Sequence, residues 1–335
     1  MRGGPIDQAL AQDEARWPGL IWGFDIADGQ VHWVGDGPAP AGGLRWLHVA
    51  LADRRAQQWI ESFAELPPLA REVLLSADEH PRALVDDSGV IACVILDAGR
   101  GLAGDDDVVH ALRFAIAPNL VITARHHPVK CVDEVRRRIE GSSVPMTSAA
   151  ALNLLIGAHV ADTNERLHAL IRQAQEMEDA LADRDREPEP RALQLLRRRA
   201  LRIHRQASGL HRVLNRLEED EALPETLLPP VERQVQRVAA IEGDVVALVG
   251  QERLLREELD ARATQHNNQN LYILSIMTAL LLPPTLIAGL FGMNTSGLPF
   301  AGGAHGTLAA CITALASMIG TYVVLRAIGF FGSRG

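Results

Sequence analysis

The stretch from Asn268 to Thr295 reads NQNLYILSIMTALLLPPTLIAGLFGMNT, and it decides the fold. Its apolar part, Leu271 to Phe291, has 21 residues. As a helix it would rise roughly 31 Å at about 1.5 Å per residue, close to the hydrocarbon thickness of a bilayer. After Arg262 the next charged residue is Arg326. The sequence therefore predicts that the last part of the chain lies in a membrane.

The charge of the chain is divided as unevenly as its hydropathy. The chain has 335 residues, which is room for two or three domains. Residues 1–262 hold 31 basic and all 42 acidic residues, a net charge of −11, and only Arg326 and Arg334 follow. An acidic surface argues against nucleic acid as a partner and suits an environment that attracts cations.

The cysteines and the first residues indicate where the acidic part resides. Cys93, Cys131 and Cys311 are isolated and form no CxxC pair, which is typical of a reducing cytosol. The segment before Leu20 has no apolar core of signal-peptide length. We therefore expect the acidic part to be cytoplasmic and made without a cleaved signal.

Residues 1–145 alternate strand and helix signals, which predicts an α/β domain with a mixed or antiparallel sheet. A hairpin is expected at residues 20–35, turning at Asp28-Gly29. Asp53 is a candidate helix cap. The other expected strands are 44–50, 89–96, 108–116 and 119–124, and the expected helices are 53–66, 68–77 and 129–140.

Residues 146–267 have helical periodicity throughout and predict a helical stalk. Helices are expected at 148–184 and 191–217, with a turn at the EPEP of 187–190. A third helix begins near Val231 and meets no proline until Pro283. Val231 to Leu282 is 52 residues, roughly 78 Å of helix at about 1.5 Å per residue, a length that favours a stalk in an oligomer.

Two membrane spans are predicted, at 268–294 and 307–329, joined by an external loop at 295–306. The loop contains no Lys or Arg. Basic residues lie before the first span and after the second, at Arg253, Arg256, Arg262, Arg326 and Arg334. The positive-inside rule therefore predicts a hairpin with both termini in the cytoplasm.

One face of the first span is polar or small at heptad spacing. Five of its seven positions are polar or glycine, and the seven are Asn268, Leu271, Ser275, Thr278, Leu282, Thr285 and Gly289. On spacing alone, helix packing explains the stripe at least as well as a pore does. A pore would need several subunits around an axis, because two spans enclose nothing. Pro283 and Pro284 remove two backbone N–H donors in this span. We interpret them as a kink that neighbouring helices tolerate, and not as a means of turning freed carbonyl groups toward a pore.

The end of this span resembles a known family. Gly292-Met293-Asn294 closes the span in LLPPTLIAGLFGMN, before a short loop and a second span, and this layout resembles the CorA superfamily of divalent-metal transporters. WLHVALADRRAQQWI and LPPLAREVLLSADEHPRALV are similar to its ZntB zinc-transporter branch. The resemblance implies a homopentamer in the inner membrane, with an α/β domain in the cytoplasm. It also implies a pore lined by the stripe, with Gly292, Met293 and Asn294 at the outer mouth. Thr278 is the exception within the stripe, because its place there rests on the spacing alone.

Two departures separate the chain from the magnesium-transporting pattern of that superfamily. The loop after the tripeptide carries no acid near Pro299, which fits the zinc branch, and the C-terminus RAIGFFGSRG lacks a basic cluster. The stripe contains no His, Cys, Asp or Glu, so we expect a partly hydrated ion and loose selectivity. The resemblance implies Zn²⁺, with Co²⁺, Ni²⁺, Cd²⁺ and Mg²⁺ as further candidates, and no cofactor.

Few other residues invite a chemical role. The zinc branch is thought to couple uptake to protons, and we hypothesise that His305 in the loop tunes ion entry with pH. Asp78, Glu79 and His80 could form a regulatory metal site, although a solvated loop is the simpler interpretation. No catalytic constellation is apparent. The alternatives to a zinc transporter are a magnesium, cobalt or nickel channel of the same fold and a membrane-anchored sensor.

Overall fold

The structure is a computed structural model, and it describes residues 17–35, 37–99, 108–141, 145–182, 189–293 and 306–328. The predicted sites at Asn294 and His305 lie outside these described residues. The chain forms two compact units, Met1–Leu255 and Arg256–Gly335. Each unit is described by itself below.

A seven-stranded sheet forms the centre of the first unit. Its strands are β1 (Leu20–Ala27), β2 (Gln30–Trp33), β3 (Leu44–Ala50), β4 (Arg82–Val85), β5 (Ile91–Ala98), β6 (Val109–Ala117) and β7 (Leu120–Arg125). Their order across the sheet is β2-β1-β3-β7-β6-β5-β4. The pair β3 and β7 is parallel and the other pairs are antiparallel. The prediction of a mixed sheet is therefore confirmed.

The β1–β2 hairpin turns where the sequence predicts it. Ala27 pairs with Gln30, which leaves a two-residue loop. Asp28 and Gly29 have φ angles of 52° and 72°, the left-handed values that this tight turn requires. Glycine takes such an angle without steric cost, and aspartate is among the few other residues that tolerate it.

The helices of the first unit follow the predicted order with shifted ends. They are α1 (Arg54–Ser62), α2 (Pro68–Leu75), α3 (Lys130–Glu140), α4 (Ser148–Ala182) and α5 (Pro190–Glu218). Asp53 caps α1 by accepting a hydrogen bond from the backbone N–H of Arg55, as predicted. The prediction that this helix reaches Leu66 is wrong, because the chain already turns extended at Phe63. The edge strand β4 was not predicted.

Both faces of the sheet are buried, so its strands read as nearly continuous apolar runs. Odd positions of β5, such as Cys93 and Ile95, join one core with α3, α4, α5 and the start of the next helix. Even positions, such as Ala92 and Val94, join a second core with α1 and α2. The second core, with α1 and α2, excludes water from one face of the sheet. The first core, with α3, α4 and α5, excludes it from the other face.

The long helix α6 runs from Leu228 to Gly292 without interruption in the described residues. It begins three residues before the predicted Val231, because Pro229 and Pro230 occupy its first turn, where a missing N–H costs nothing. Pro283 and Pro284 lie inside it. Residues 228–255 belong to the first unit, whereas the rest of α6 and all of α7 (Gly306–Ala327) form the second.

Candidate functional site

Two helices of the second unit are long and apolar enough to cross a membrane. The most apolar 18-residue window in each of α6 and α7 has a mean hydropathy of 2.0, and neither window is buried within the chain. Large side chains such as Leu271, Leu282 and Leu286 are each about 60% exposed. So much exposed apolar surface is far more than a water-soluble monomer shows, and it needs lipid or another copy of the chain to cover it.

All seven residues of the predicted stripe are exposed on α6. At 100° per residue they fall on one side of the helix. At about 100° per residue, the half-buried residues between 271 and 291 centre roughly 140° around the helix from the stripe. They are Tyr272, Ile276, Ala279, Leu280, Pro283, Pro284, Ile287 and Phe291. One side of the span is thus partly covered within its unit. The stripe is on the side that is left open.

The two threonines of the stripe have fixed hydroxyl groups. The Thr278 hydroxyl donates to the carbonyl oxygen of Leu274 at 2.8 Å, and the Thr285 hydroxyl donates to that of Leu281 at 2.6 Å. Each proton is therefore used inside the helix, and the lone pairs of the oxygen remain available as acceptors. This arrangement suits a cation, although it also lets a threonine sit in an apolar span without an unsatisfied donor.

Stripe residues near the C-terminal end of α6 line a shallow groove along the helix. Its described lining includes Thr278, Leu282, Thr285, Gly289 and Met293. The helix ends at Gly292, and the Met293 N–H bonds to the carbonyl oxygen of Leu290 at 3.3 Å. Gly292 and Met293 are both exposed. Two of the three predicted mouth residues are therefore open at the end of the same groove-bearing helix.

The paired prolines lie away from the stripe. Pro283 and Pro284 are half-buried, as are Ala279 and Leu280, whose carbonyl groups lose their usual helical N–H donors to the prolines. Because these four residues lie toward the covered side of α6, the geometry favours the interpretation that the prolines only adjust the helix. It does not direct the freed carbonyl groups toward the stripe.

The predicted regulatory site at Asp78, Glu79 and His80 is an exposed loop. The Asp78 carboxylate accepts hydrogen bonds from the His80 backbone N–H at 3.0 Å and from Arg82 at 2.9 Å, and it also pairs with the His80 ring. These hydrogen bonds hold the pKa of Asp78 below its usual value. Both carboxylate oxygens thus have partners in the loop. Glu79 lies instead toward the charged groups of Arg113 and His110.

The structure brings together three residues that sequence reasoning did not connect. Asp97, Cys131 and His159 lie in the core of the first unit, each at most 1% exposed. One signal was present in the sequence. Helical spacing places His159 on the same side of α4 as Leu152, Leu155 and Ile156, and thus on the buried face.

Comparison with known proteins gives a consistent family match. A family model described as "CorA-like Mg2+ transporter protein" matches residues 41–326. The divalent cation transporter CmaX of Pseudomonas aeruginosa is 28% identical over 284 residues, which cover 80% of this chain and 81% of CmaX. The zinc transport protein ZntB of Pectobacterium atrosepticum is 25% identical over 271 residues, which cover 80% of this chain and 82% of ZntB.

Solved structures show the same fold at lower identity. The full-length CmaX protein matches with a TM-score of 0.78 at 22% identity, covering 92% of this chain and 97% of that one. The CorA magnesium transporter from Methanocaldococcus jannaschii matches with a TM-score of 0.74 at 15% identity, covering 91% and 96%. The shared features are a sheet-containing N-terminal domain, a long helix and two C-terminal apolar helices.

Proposed function

Because the chain belongs to the CorA-like Mg²⁺ transporter family, whose members are transporters of divalent cations and not enzymes, we propose that α6 lines its ion path. Copies of α6 surround an axis, and the stripe from Asn268 to Gly289 faces that axis. The observation that carries this proposal is the position of the stripe. It is exposed along its whole length, and the half-buried residues of the same helix centre roughly 140° away from it.

The number of copies follows from the family resemblance, which implies five. A single pair of spans cannot enclose a channel, so the path needs an oligomer. Exposed leucines at 271 and 282 support this reading, since each is about 60% exposed in one chain and a ring of copies would cover it. The same rings would form apolar constrictions, which pass ions only when wetted.

The ligands that the stripe and Asn294 offer to an ion are neutral oxygen atoms. Hydroxyl groups at Ser275, Thr278 and Thr285, and amide oxygens at Asn268 and Asn294, attract a cation without a fixed charge. Such ligands bind weakly enough for the ion to leave, which conduction requires. Because none of them is a soft ligand, the ion keeps part of its hydration shell.

Zinc is the ion that we propose first. Several relatives at 22–25% identity are named zinc transport proteins, and the loop after Asn294 lacks an acid near its proline. The alternative is magnesium, the ion that the family description names, with cobalt or nickel as the further ions of a channel of the same fold. A mere membrane anchor would need no polar stripe, and no observation favours that third role.

The proposed topology follows the sequence boundaries. The cytoplasmic α/β domain is 1–145, the stalk is 146–267, and the spans 268–294 and 307–329 flank an external loop at 295–306. Both termini face the cytoplasm in an inner membrane. His305 in the loop is the proposed point of pH control.

Purified protein in liposomes tests both the transport and the ion. Liposomes loaded with a zinc-sensitive dye should brighten when zinc is added outside, and liposomes with a magnesium dye should respond less. An added proton gradient measures coupling, and His305→Ala should flatten any pH dependence. A larger magnesium than zinc flux would favour the alternative, and no flux of either ion would refute the proposal.

A further inference from the structure

The strongest unassigned feature of the first unit is a buried group of three metal-ligating side chains. Asp97 ends strand β5, Cys131 lies in the first turn of α3, and His159 lies in α4. A carboxylate oxygen, the thiol sulfur and a ring nitrogen from these residues all lie within 4.8 Å of one another. Among the described residues, no other group of three meets this criterion.

Hydrogen bonds fix the geometry of this group. The two carboxylate oxygens of Asp97 have different partners. Oδ1 pairs with Nδ1 of His159 at 2.9 Å, and Oδ2 accepts a hydrogen bond from the backbone N–H of Cys131 at 2.9 Å. Thr163 donates its hydroxyl to the carbonyl oxygen of His159 at 2.9 Å. The Asp97 carboxylate thus joins the end of β5 to both α3 and α4.

The immediate surroundings of Cys131 are acidic. Burial, and then the charges of Asp97, Asp162 and Asp133, raise the pKa of the Cys131 thiol well above its ordinary value. For Asp97, burial alone would raise the pKa, but the hydrogen bond and charge of His159 and the bonds from Cys131 hold it below its usual value. The carboxylates of Asp97, Asp133 and Asp162 thus lie near Cys131, and Asp97 is the one that also contacts His159.

A cleft in the surface reaches Cys131, one member of the group. It lies between α3 and α4, has a volume of about 480 Å³, and is lined by Cys131 together with Asp133, Asp162 and Glu165. The arginines of the same cleft, Arg137 and Arg138, pair with Glu134 at 2.6 Å and 2.8 Å. Lys130 also lines the cleft, and Asp162 pairs with Arg166 at 2.8 Å, so both acidic and basic groups surround the approach to Cys131.

We propose that Asp97, Cys131 and His159 form a binding site for a soft divalent cation of the Zn²⁺ class, entered through the cleft between α3 and α4. Tetrahedral zinc with these donors separates its ligand atoms by roughly 3.2–3.8 Å, so the Asp97–His159 contact at 2.9 Å has to widen. The sulfur, within 4.8 Å of both other ligand atoms, settles into the same range. A water molecule from the cleft occupies the fourth position. The thiol proton leaves as the metal–sulfur bond forms. A buried aspartate–histidine pair alone would need neither the thiol at ligand distance nor the opening.

Cobalt binding to the purified full-length protein in detergent tests the site. Added Co²⁺ should produce the near-ultraviolet charge-transfer band of a thiolate–cobalt bond, and Zn²⁺ should abolish it by displacing Co²⁺. Cys131→Ser should remove the band and one bound zinc per chain. His159→Gln should weaken zinc binding by at least about tenfold. Added Mg²⁺ should not compete.

Matched variants separate this site from the other cysteines and from transport. Cys93→Ala, in the sheet, and Cys311→Ser, in α7, should both keep the cobalt band, as should a variant that blocks the ion path. The wild-type spectrum is decisive even where Cys131→Ser fails to fold. Absence of the thiolate band in the wild-type protein, or its loss in Cys93→Ala or Cys311→Ser with retention in Cys131→Ser, would overturn the proposal.

Discussion

Thr278 and Thr285 lie two turns apart on the exposed side of α6, and each donates its hydroxyl to the helix's own backbone four residues earlier. Their oxygens are therefore presented outward as acceptors in a segment that is otherwise mostly aliphatic. Either threonine alone would be an ordinary lipid-tolerant residue. Two in register, on a side away from the half-buried residues, are what an oxygen-lined ion path requires.

Replacing these threonines with valine should slow transport. Thr278→Val and Thr285→Val keep the shape of the side chain and remove the oxygen. If the hydrated ion contacts one oxygen of each ring at a time, at about the free energy of a typical hydrogen bond, about 0.5–1.5 kcal/mol, zinc influx into liposomes should fall roughly two- to tenfold for each variant. The double variant should be slower than either.

The matched control is Thr313→Val in α7. The Thr313 hydroxyl makes the same kind of bond, to the carbonyl oxygen of Ala309 at 2.8 Å, and its side chain is exposed. Thr313 is not part of the stripe, so the zinc flux of the Thr313→Val variant should equal that of the wild type. Equal flux in all three threonine variants would mean that the stripe oxygens do not contact the ion.

A cysteine placed on the stripe should be reachable from water. In a Cys311→Ser background, Ser275→Cys should react with a water-soluble thiol reagent, and the reaction should block zinc flux, because the side chain faces the path. Ile276→Cys, on the half-buried side, should react slowly and leave flux unchanged. Block at position 276 without block at 275 would place the path on the other side of the helix.

The Asp25–Arg45 pair should hold the edge of the sheet. Arg45 donates to the two carboxylate oxygens of Asp25 at 2.7 Å and 2.8 Å, and its side chain is only 6% exposed. Asp25→Ala should therefore destabilise the first unit by about 3–5 kcal/mol, because it leaves a buried charge without its partner. Thermal unfolding in detergent should show a clearly lower midpoint.

The control for this pair is the exposed Arg55, which contacts Asp53 at 2.8 Å with 63% of its side chain exposed. Arg55→Ala should cost less than about 1 kcal/mol, as surface ion pairs do. A midpoint for Asp25→Ala that matches that of Arg55→Ala would show that the buried pair contributes little.

The contact between α5 and α6 should weaken in acid. Glu242 accepts a hydrogen bond from Ser208 at 2.5 Å and pairs with His211. Burial would raise the pKa of Glu242, but the bonds from Ser208 and His211 and the nearby charge of His204 hold it below its ordinary 4.5. A carboxyl with a lowered pKa in the folded chain adds stability above its ordinary pKa and loses it as pH falls through the folded value.

The measurement is the unfolding midpoint of the wild type and of Glu242→Gln between neutral pH and pH of about 3. The two proteins should differ most near neutral pH and converge in acid. Glu232→Gln, an exposed position on the same helix, should follow the wild type throughout. A constant difference between Glu242→Gln and the wild type at every pH would contradict the assignment.

The parts of the fold that the sequence predicted are those set by local chemistry. The Asp28-Gly29 turn and the Asp53 cap follow from what neighbouring residues permit. Strand β4 was missed because Arg82–Val85 is only four residues long and its place is fixed by pairing with β5. The start of α6 was misplaced because prolines that usually end helices here open one.

The two candidate sites differ in how far a local sequence pattern can locate them. Heptad spacing was enough to predict the stripe, since all its members lie on one helix. Asp97, Cys131 and His159 are separated by up to 62 positions in the chain, and only the stacking of α3 and α4 on the sheet brings them together. The only local sequence pattern that hints at this group is a histidine on the apolar side of a helix.

The central claim is that the ion leaves or enters past Asn294 and along the stripe. Its most direct test is zinc influx into dye-loaded liposomes that contain purified wild-type protein or Asn294→Leu, which has a similar size without the amide oxygen. We predict strong zinc-dependent fluorescence with the wild type and a near-complete loss with Asn294→Leu. The same signal from both proteins, or none from the wild type, would contradict the account.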